Sequence, residues 1–451
     1  MQKIVSKEEL NKLLQLPKEV DVVGSVEHDH CTEYSICFPE PSERVCPRCG
    51  CTDCVKKDER QQTVRHVPVK GKGTLVSFKR RRYRCKQCHG SFQESVYWLY
   101  EGARITIPLY IAICKALQSP RPLTEIAFEL GVRESVIRSV IEAVPFGPMP
   151  YLPQTLCIDE FAGHTGVWDS GNEKWNTHRF HCILADGDSR VVLDILPEPN
   201  ADYLIRYFNT FFPLHERQRV QYFCCDFRKG FRRVARTCFP SAHICLDKFH
   251  VVQIQTRRIN KLYNRVLKDL LAKQKSEKAR TKTRRLFYRA FYLLSSRRSA
   301  SNGYWFSDPE KKQERLNKIL SFSEELSEAY QALQEFYDIE HSDSYAYQRY
   351  ALGEWISSYS LSIYEDMRGI ASLYRYNKQY ILNAFEYDKT NAVCEGLNTN
   401  IKLLKKNGYG AHKFKNFRKR VLFAYGHIRF VKETYTIFGE RGSTAGKEAT
   451  S

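Results

Sequence analysis

Two hydrophobic periods alternate along this chain, and the points where one gives way to the other mark its organisation. Gln221–Cys225 and Ala242–Leu246 are short apolar runs bounded by charge, as buried strands are. Between them Phe227, Phe231, Val234 and Cys238 recur at steps of four, three and four, which is one face of a helix. Arg228, Lys229, Arg232, Arg233 and Arg236 fill the rest of that helix, and Pro240 ends it. Earlier, Thr155–Ile158, Arg179–Ala185 and Arg190–Leu196 read as strands, the last two joined through an Asp186-Gly187-Asp188 turn, and Ala201–Phe212 reads as a helix. The predicted order is therefore three antiparallel strands, helix, strand, helix, strand. From 254 to 385 this rhythm is lost to long helical patterns such as Ile259–Leu271 and Lys312–Glu335. A last helix spans Asn391–Lys405, anchored by Val393, Leu397, Ile401 and Leu404, with Asn391, Glu395 and Asn398 forming a polar stripe.

The N-terminal third is patterned differently. Leu10, Leu13 and Leu14 suggest a short helix, and Thr74–Phe78 alternates like one arm of a hairpin after Gly71-Lys-Gly73. Arg121–Val144 predicts two helices packed through Leu123, Ile126, Ala127 and Leu130 and through Val132, Val136, Ile137 and Val140, with Gly131 at the turn. That is the form of a helix-turn-helix, and also of a plain helical hairpin. If it is the former, Arg133, Glu134, Ser135, Arg138 and Ser139 face the major groove. Pro145–Pro153 reads as a linker.

Charge narrows the choice of partner. The 71 Lys and Arg against 51 Asp and Glu leave a formal net charge of +20. The excess is clustered: Arg257–Arg298 holds fifteen basic and two acidic residues, and Lys402–Arg420 eight basic and none acidic. One such run is an ordinary solvated helix face, but several in one chain favour a polyanion. No apolar run is long enough for a membrane span and the N-terminus lacks the apolar segment of a signal peptide, so an intracellular, cytoplasmic, nucleoid-associated protein with no membrane partner is expected.

Without an export signal, sixteen cysteines point to metal rather than disulfides. Cys46-Pro-Arg-Cys49 and Cys85-Lys-Gln-Cys88 are paired knuckles of the kind that closes a tetrahedral structural Zn²⁺ site. Cys51 and Cys54 form a third, overlapping pair, which leaves the ligand set open. The basic approach to the second knuckle, with Arg81, Arg82 and Arg84, suits phosphate. Acids mark the strand exits: Asp159 after the first strand, Asp226 after the fourth, then Asp247 and His250 after the fifth. In open α/β sheets ligands gather at the carboxyl ends of strands. Asp226 alone also fits an ordinary helix N-cap. The strand order is that of the ribonuclease H fold, in which the first acid leaves the first strand and the second leaves the neighbouring fourth. Asp159 and Asp226 fall there. Glu395 is preferred as third acid over Glu386 and Asp388 because it sits within the amphipathic helix, flanked by Asn391 and Asn398.

With these motifs in view, LCIDEFAG at 156–163, YFCCDFRKGFRR at 222–233, FPSAHICLDKFHVVQ at 239–253 and NAVCEGLNTNIKLLKK from 391 resemble the ISL-three family of insertion-sequence transposases, over roughly Cys46 to Phe430. The resemblance implies an α/β, ribonuclease H-like DDE catalytic domain with an all-helical insertion, preceded by a zinc ribbon and a helix-turn-helix. It implies that Asp159, Asp226 and Glu395 hold Mg²⁺ or Mn²⁺ and catalyse strand transfer on double-stranded DNA, in a homo-oligomer on paired ends. Asp247-x2-His250 is similar to a (Cys or Asp)-x2-His motif of transposases with such insertions, and for His250 a packing role stays open. The expected layout is an N-terminal segment over 1–40, the ribbon over 41–98, the helix-turn-helix over 99–146, the core over 154–253, the insertion over 254–385, the final core helices over 386–432 and a flexible tail over 433–451. The contrasting readings are a DNA-binding regulator that has lost catalysis, and a nuclease or resolvase that leaves ribbon and helix-turn-helix idle.

Overall fold

The computed structural model describes residues 7–41, 43–100, 104–147, 152–163, 167–169, 174–176, 180–298, 308–407 and 414–426. They form two compact units. The first comprises the described residues before 148, those of 167–169 and 174–176, and those from Thr399 on; the second comprises 152–163 and 180–398. The tail expected over 433–451 lies outside the described residues.

In the first unit, α1 (Lys7–Leu13) leads to β1 (Asp21–Glu27) and β2 (Cys31–Cys37). The hairpin signalled near Gly71 is long, with β3 (Cys54–Val69) and β4 (Lys72–Cys85) antiparallel throughout. Lys70 and Gly71 both take positive φ, 50° and 77°, the two-residue turn whose twist matches that of its strands. β5 (Ser91–Gln93), β6 (Leu99–Tyr100) and β7 (Ile105–Thr106) complete a sheet ordered β1-β2-β4-β3-β7-β6, with β5 on β4. Then come α2 (Ile107–Ala116), α3 (Leu123–Glu129) and α4 (Glu134–Ala143). Their shared core holds Ile126, Ala127, Leu130, Val132, Ile137 and Val140, as the spacing predicts.

The second unit opens on β8 (Thr155–Ala162), which continues past Asp159 where the sequence reading ends it. A small ribbon of β9 (Val167–Asp169) and β10 (Lys174–Asn176), grouped with the first unit, has no counterpart in that reading. β11 (Phe180–Asp186), β12 (Val192–Leu196), α5 (Ala201–Phe211), α6 (Leu214–Arg217), β13 (Tyr222–Cys225), α7 (Lys229–Cys238) and β14 (His243–Leu246) follow. The sheet order is β12-β11-β8-β13-β14, with β11 antiparallel to both β12 and β8, and β13 parallel to both β8 and β14. Leu156, Ile158, Cys182, Leu184, Phe223 and Cys225 pack with Leu204 and Phe208 of α5 and Phe231 and Val234 of α7 in one apolar core. Helices then run from α8 (Lys248–Lys273) through α9 (Glu277–Phe287), α10 (Ala290–Ser295), α11 (Pro309–Leu320), α12 (Glu324–Glu340), α13 (Tyr345–Ser360) and α14 (Glu365–Glu386). Their interior, which includes Phe336, Trp355 and Tyr374, is continuous with that of the sheet. Tyr374 is fully buried, and its hydroxyl donates to the Val251 carbonyl at 2.7 Å.

Two features go beyond the sequence reading. The sequence reading gives 386–432 to the core, and α15 (Ala392–Asn407) does begin in the second unit; α16 (Phe414–Tyr425) belongs to the first. There the Arg420 guanidinium, 6% exposed, donates to the carbonyls of Leu117, Ser119 and Arg121, while Lys419 donates to that of Glu142 at 2.6 Å. These long side chains cap the loop after α2 and the end of α4, so part of the basic run at 402–420 is internal. Arg232, placed on the polar face of its helix, is 3% exposed and donates to the Phe227 carbonyl at 2.7 Å.

Gly187 stands where chain segments crowd. A Cβ there would lie 2.5 Å from Cγ2 of Thr155 and 3.0 Å from Sγ of Cys157, while Asp186 holds the turn by accepting from the backbone of Asp188 and Ser189. Gly187→Ala is expected to destabilise the second unit by about 1–3 kcal/mol through this overpacking, and thermal unfolding of the variant beside the parent checks it.

Candidate functional site

The first metal-binding constellation lies where β3 begins and β4 ends. Cys46, Cys49, Cys85 and Cys88 bring their sulfurs within 4.8 Å of one another, and the pairs Cys46–Cys88 and Cys49–Cys85 are each 3.6 Å apart. A tetrahedron of Zn–S bonds of ordinary length has sulfurs about 3.8 Å apart, so the four fit the ion. The backbone amides of Cys88 and Gln87 hold the Cys85 thiol down to about 6, already biased to the thiolate a metal takes. Cys51 and Cys54 stand outside this set; Cys54 instead gives its Sγ–H to the Cys51 carbonyl at 3.5 Å.

The second constellation comes from strand register. Cys157 is level with Cys224, and Cys224 with Cys245, on the parallel strands β8, β13 and β14. Two residues further along each segment come Asp159, still within β8, and Asp226 and Asp247, directly after the ends of β13 and β14; residues two apart on a strand share a face. Three acids are thus delivered to one edge by pairing alone.

Their fates differ. Asp159 is 9% exposed, and burial, with the charges of Asp226, Asp247 and Glu395 adding, pushes its carboxyl up to about 7. Burial raises Asp226 as well, against the Arg228 amide, which donates to it at 2.8 Å, and the nearby charges of His250 and Arg232. Asp247 is 1% exposed and structural. It caps α8 by accepting from the Phe249 amide at 3.1 Å and holds Nδ1 of His250 at 3.0 Å. That bond raises the imidazole, which faces Asp159 and Asp226. Glu395 lies in the first turn of α15, and one turn on the Asn398 amide donates to Oδ2 of Asp159 at 2.7 Å. Asn391, four residues before Glu395, donates to the Ile158 carbonyl at 3.1 Å.

The site suits a hard divalent cation. Like charges are crowded at low exposure, the acids offer oxygen donors, and the buried Oδ1 atoms of Asn391 and Asn398 have no hydrogen-bond partner among the described residues. Among the described residues the carboxylates do not close into a mutual 4.8 Å group as the thiols do. A site spread over two ions about 3.5–4 Å apart does not require that. The neighbours Glu160 and Arg228 form an ion pair beside the acids that sequence patterning gave no means to find.

The suggested DNA contacts are sorted by exposure. Arg81 is internal: it donates to Glu94 at 2.9 Å and to the carbonyls of Phe38 and Pro39, so it braces the sheet. Arg82 pairs with Asp58 at 3.1 Å, and Arg138 with Glu134 one turn away. Arg84, Arg133 and Ser135 are exposed.

The zinc geometry predicts that Cys85→Ser loses the bound metal and the lower part of the β3–β4 hairpin with it, whereas Cys51→Ser keeps full occupancy. Metal analysis of the purified variants, with circular dichroism, checks both.

Comparison with known proteins follows the same division. A family model described as Transposase, that of the ISL-three DDE domain, matches residues 156–421, and one described as zinc-finger of transposase IS204/IS1001/IS1096/IS1165 matches 42–88. The transposase for insertion sequence element IS1001 of Bordetella parapertussis is 23% identical over 401 residues, covering 86% of this chain and 90% of that one. A Lactococcus lactis protein named ATP-dependent protease is 27% identical over 152 residues, 30% of this chain and 46% of its own. A solved Drosophila P element transposase strand transfer complex aligns over 70% of this chain and 91% of its own with 13% identity, at a TM-score of only 0.33. With more than half its length matched by the catalytic-domain model and its cysteine knuckles by the companion zinc model, this chain belongs to the ISL-three transposase family.

Proposed function

We propose that the chain binds the terminal inverted repeats of an insertion sequence and carries out metal-dependent cleavage and strand transfer there, with Asp159, Asp226 and Glu395 as the catalytic triad. The observation that carries this reading is that Asp159, in β8, feels the charges of both Asp226, directly after the neighbouring parallel β13, and Glu395, with the helix of Glu395 tied to Asp159 through Asn398. The five-stranded order, three strands antiparallel and two parallel, supports a ribonuclease H-like domain, with α8 to α14 as its helical insertion.

In this reading the three carboxylates hold Mg²⁺ or Mn²⁺, which when bound lower the pKa of a hydroxyl nucleophile and stabilise the leaving oxygen of an in-line displacement. The chain's own groups set up that event. Asn398 and the Glu160 amide each donate to one Asp159 oxygen and so fix the orientation of the carboxylate, whose remaining lone pairs would face the metal. The Arg228 amide orients Asp226, and Arg232 holds the turn behind it. Asp247 fixes His250 so that its ring faces the two acids and offsets their charge. No covalent intermediate on the protein is needed. The zinc ribbon and the α3–α4 pair, as a helix-turn-helix, bind the repeats, with Arg84, Arg133 and Ser135 as exposed contacts and Arg82 and Arg138 available by exchange of their ion-pair partners. Two protomers act on paired ends.

The deciding experiment uses DNA flanking the coding sequence as substrate, with Mg²⁺. Asp226→Asn is expected to retain DNA binding and lose cleavage at least a hundredfold, the size that follows from losing several kcal/mol of charge stabilisation. Undiminished cutting by that variant refutes the assignment. A second outcome follows from the raised Asp159 carboxyl. Metal takes the deprotonated form, so affinity should fall as pH drops through about 7, by about tenfold per pH unit for each proton displaced. Titration with Mn²⁺ followed by electron paramagnetic resonance measures it.

A further inference from the structure

One cavity in the second unit has no role in the reading above, although it starts within the motif that carries His250. Phe249, Val252, Gln253 and Thr256 follow at steps of three, one and three, a single face of α8. That face, with Phe291 and Ser295 of α10 and Tyr337, Glu340 and His341 at the end of α12, lines a cleft of about 460 Å³. Ligand cavities begin at about 300 Å³, so the cleft has room for one nucleoside-sized group.

The lining is selective. Three aromatic rings, those of Phe249, Phe291 and Tyr337, meet there, and Phe249 is left 47% exposed although it stands next to His250, whose Nδ1 is held by Asp247. Part of the polar wall is fixed in place: the Tyr337 hydroxyl donates to the Ser295 carbonyl at 2.7 Å, and the His341 ring to that of Tyr337 at 2.9 Å. The Gln253 carboxamide has no partner among the described residues, and Glu340 keeps its carboxylate only 16% exposed. Burial raises the Glu340 carboxyl, so this wall is built for hydrogen bonds rather than for an ion. Aromatic faces with an amide and a carboxylate at the edge accept a planar heterocycle bearing N–H groups. Lys248 and Arg297 act electrostatically on Glu340, so cations are at hand for the backbone of the strand that carries such a group.

Resting on the DNA-processing reading, we propose that this cleft holds one unpaired nucleobase of the DNA substrate, stacked against Phe249 and edge-bonded to Gln253 and Glu340. Phe249 begins two residues after Asp247, so the base belongs to a nucleotide close to the phosphate under attack. Withdrawing it from the duplex costs unstacking, which the cleft offsets.

The test measures binding of the full chain to end duplexes, without divalent metal, using a set in which each nucleotide near the cleavage site is in turn replaced by an abasic residue. Phe249→Ala is expected to weaken binding to the intact duplex about tenfold. At one position the abasic duplex should bind wild type and variant equally, because the ring then has nothing to hold. Gln253→Ala, which leaves the ring in place, should lose a smaller factor and be silenced by the same abasic position. Equal binding of both chains to every duplex, or a Phe249→Ala loss that survives at every abasic position, overturns the proposal. Cleavage of the same duplexes by wild type with Mg²⁺ keeps the parent reading separate: a chain that cuts normally while the abasic scan is flat has lost the cleft alone, and one that neither binds nor cuts has lost both.

Discussion

Parallel pairing of β8, β13 and β14 is the constraint from which the acid cluster of this protein follows. The register that aligns Cys157 with Cys224 and Cys245 brings the chain to Asp159, Asp226 and Asp247 two residues on, the last two directly after the ends of their strands. A slip of one residue would send the acids to the opposite face. The register is fixed in turn by apolar residues such as Phe223, Leu246 and Ile158, which have no other place to go. Hydrophobic burial therefore decides where charge is concentrated, and the cost of that concentration appears in the raised carboxyls of Asp159 and Asp226. An arrangement with mutually repelling, half-desolvated acids is poor as a scaffold and good as a cation site.

The three aspartates show how local bonding divides roles that register makes equal. Asp247 is the most buried of the row, yet it meets an amide, an imidazole and the Thr390 hydroxyl, and is spent on holding α8 and His250. Asp226 accepts one backbone amide and remains half-exposed. Asp159 is tied by Asn398 across 239 residues of chain. The last of these bonds joins strand to helix, so the helix of Glu395 is set by the acid it serves.

Much of this was legible from spacing. Strand runs bounded by charge, and helix faces at steps of three and four, located β11 to β14, α5 and α7 to within a few residues, because a buried strand and an amphipathic helix each impose their own period. The cysteine knuckles were legible for a different reason: ligation demands a fixed spacing whatever the surrounding fold. What escaped was set by tertiary partners. Arg232 and Arg420 look like surface residues in a basic run, and only the carbonyls that receive them make them internal. Arg81 looked suited to phosphate for the same reason, and Glu94 claims it. The division of α15 and α16 between units was hidden too, since α16 carries apolar and basic residues that would suit either core; Phe423 and Arg420 settle it by packing with the α2–α4 cluster.

Cysteine makes the same point in chemical terms. At Cys85 two backbone amides converge on the sulfur and hold it down to about 6, where a thiolate forms readily. In the α/β core, burial pushes the thiols of Cys182, Cys225 and Cys394 up, so these sulfurs behave as small apolar groups. Cys225 directly precedes Asp226 and Cys394 directly precedes Glu395, and in both places a residue slimmer than valine or leucine fills the layer behind an acid. A larger side chain there would press on the strand or helix that aims the carboxylate. A charged one would bury an unpaired charge in the core. Cysteine in its neutral form does neither, which accounts for a core rich in thiols lying directly behind a cluster of carboxylates.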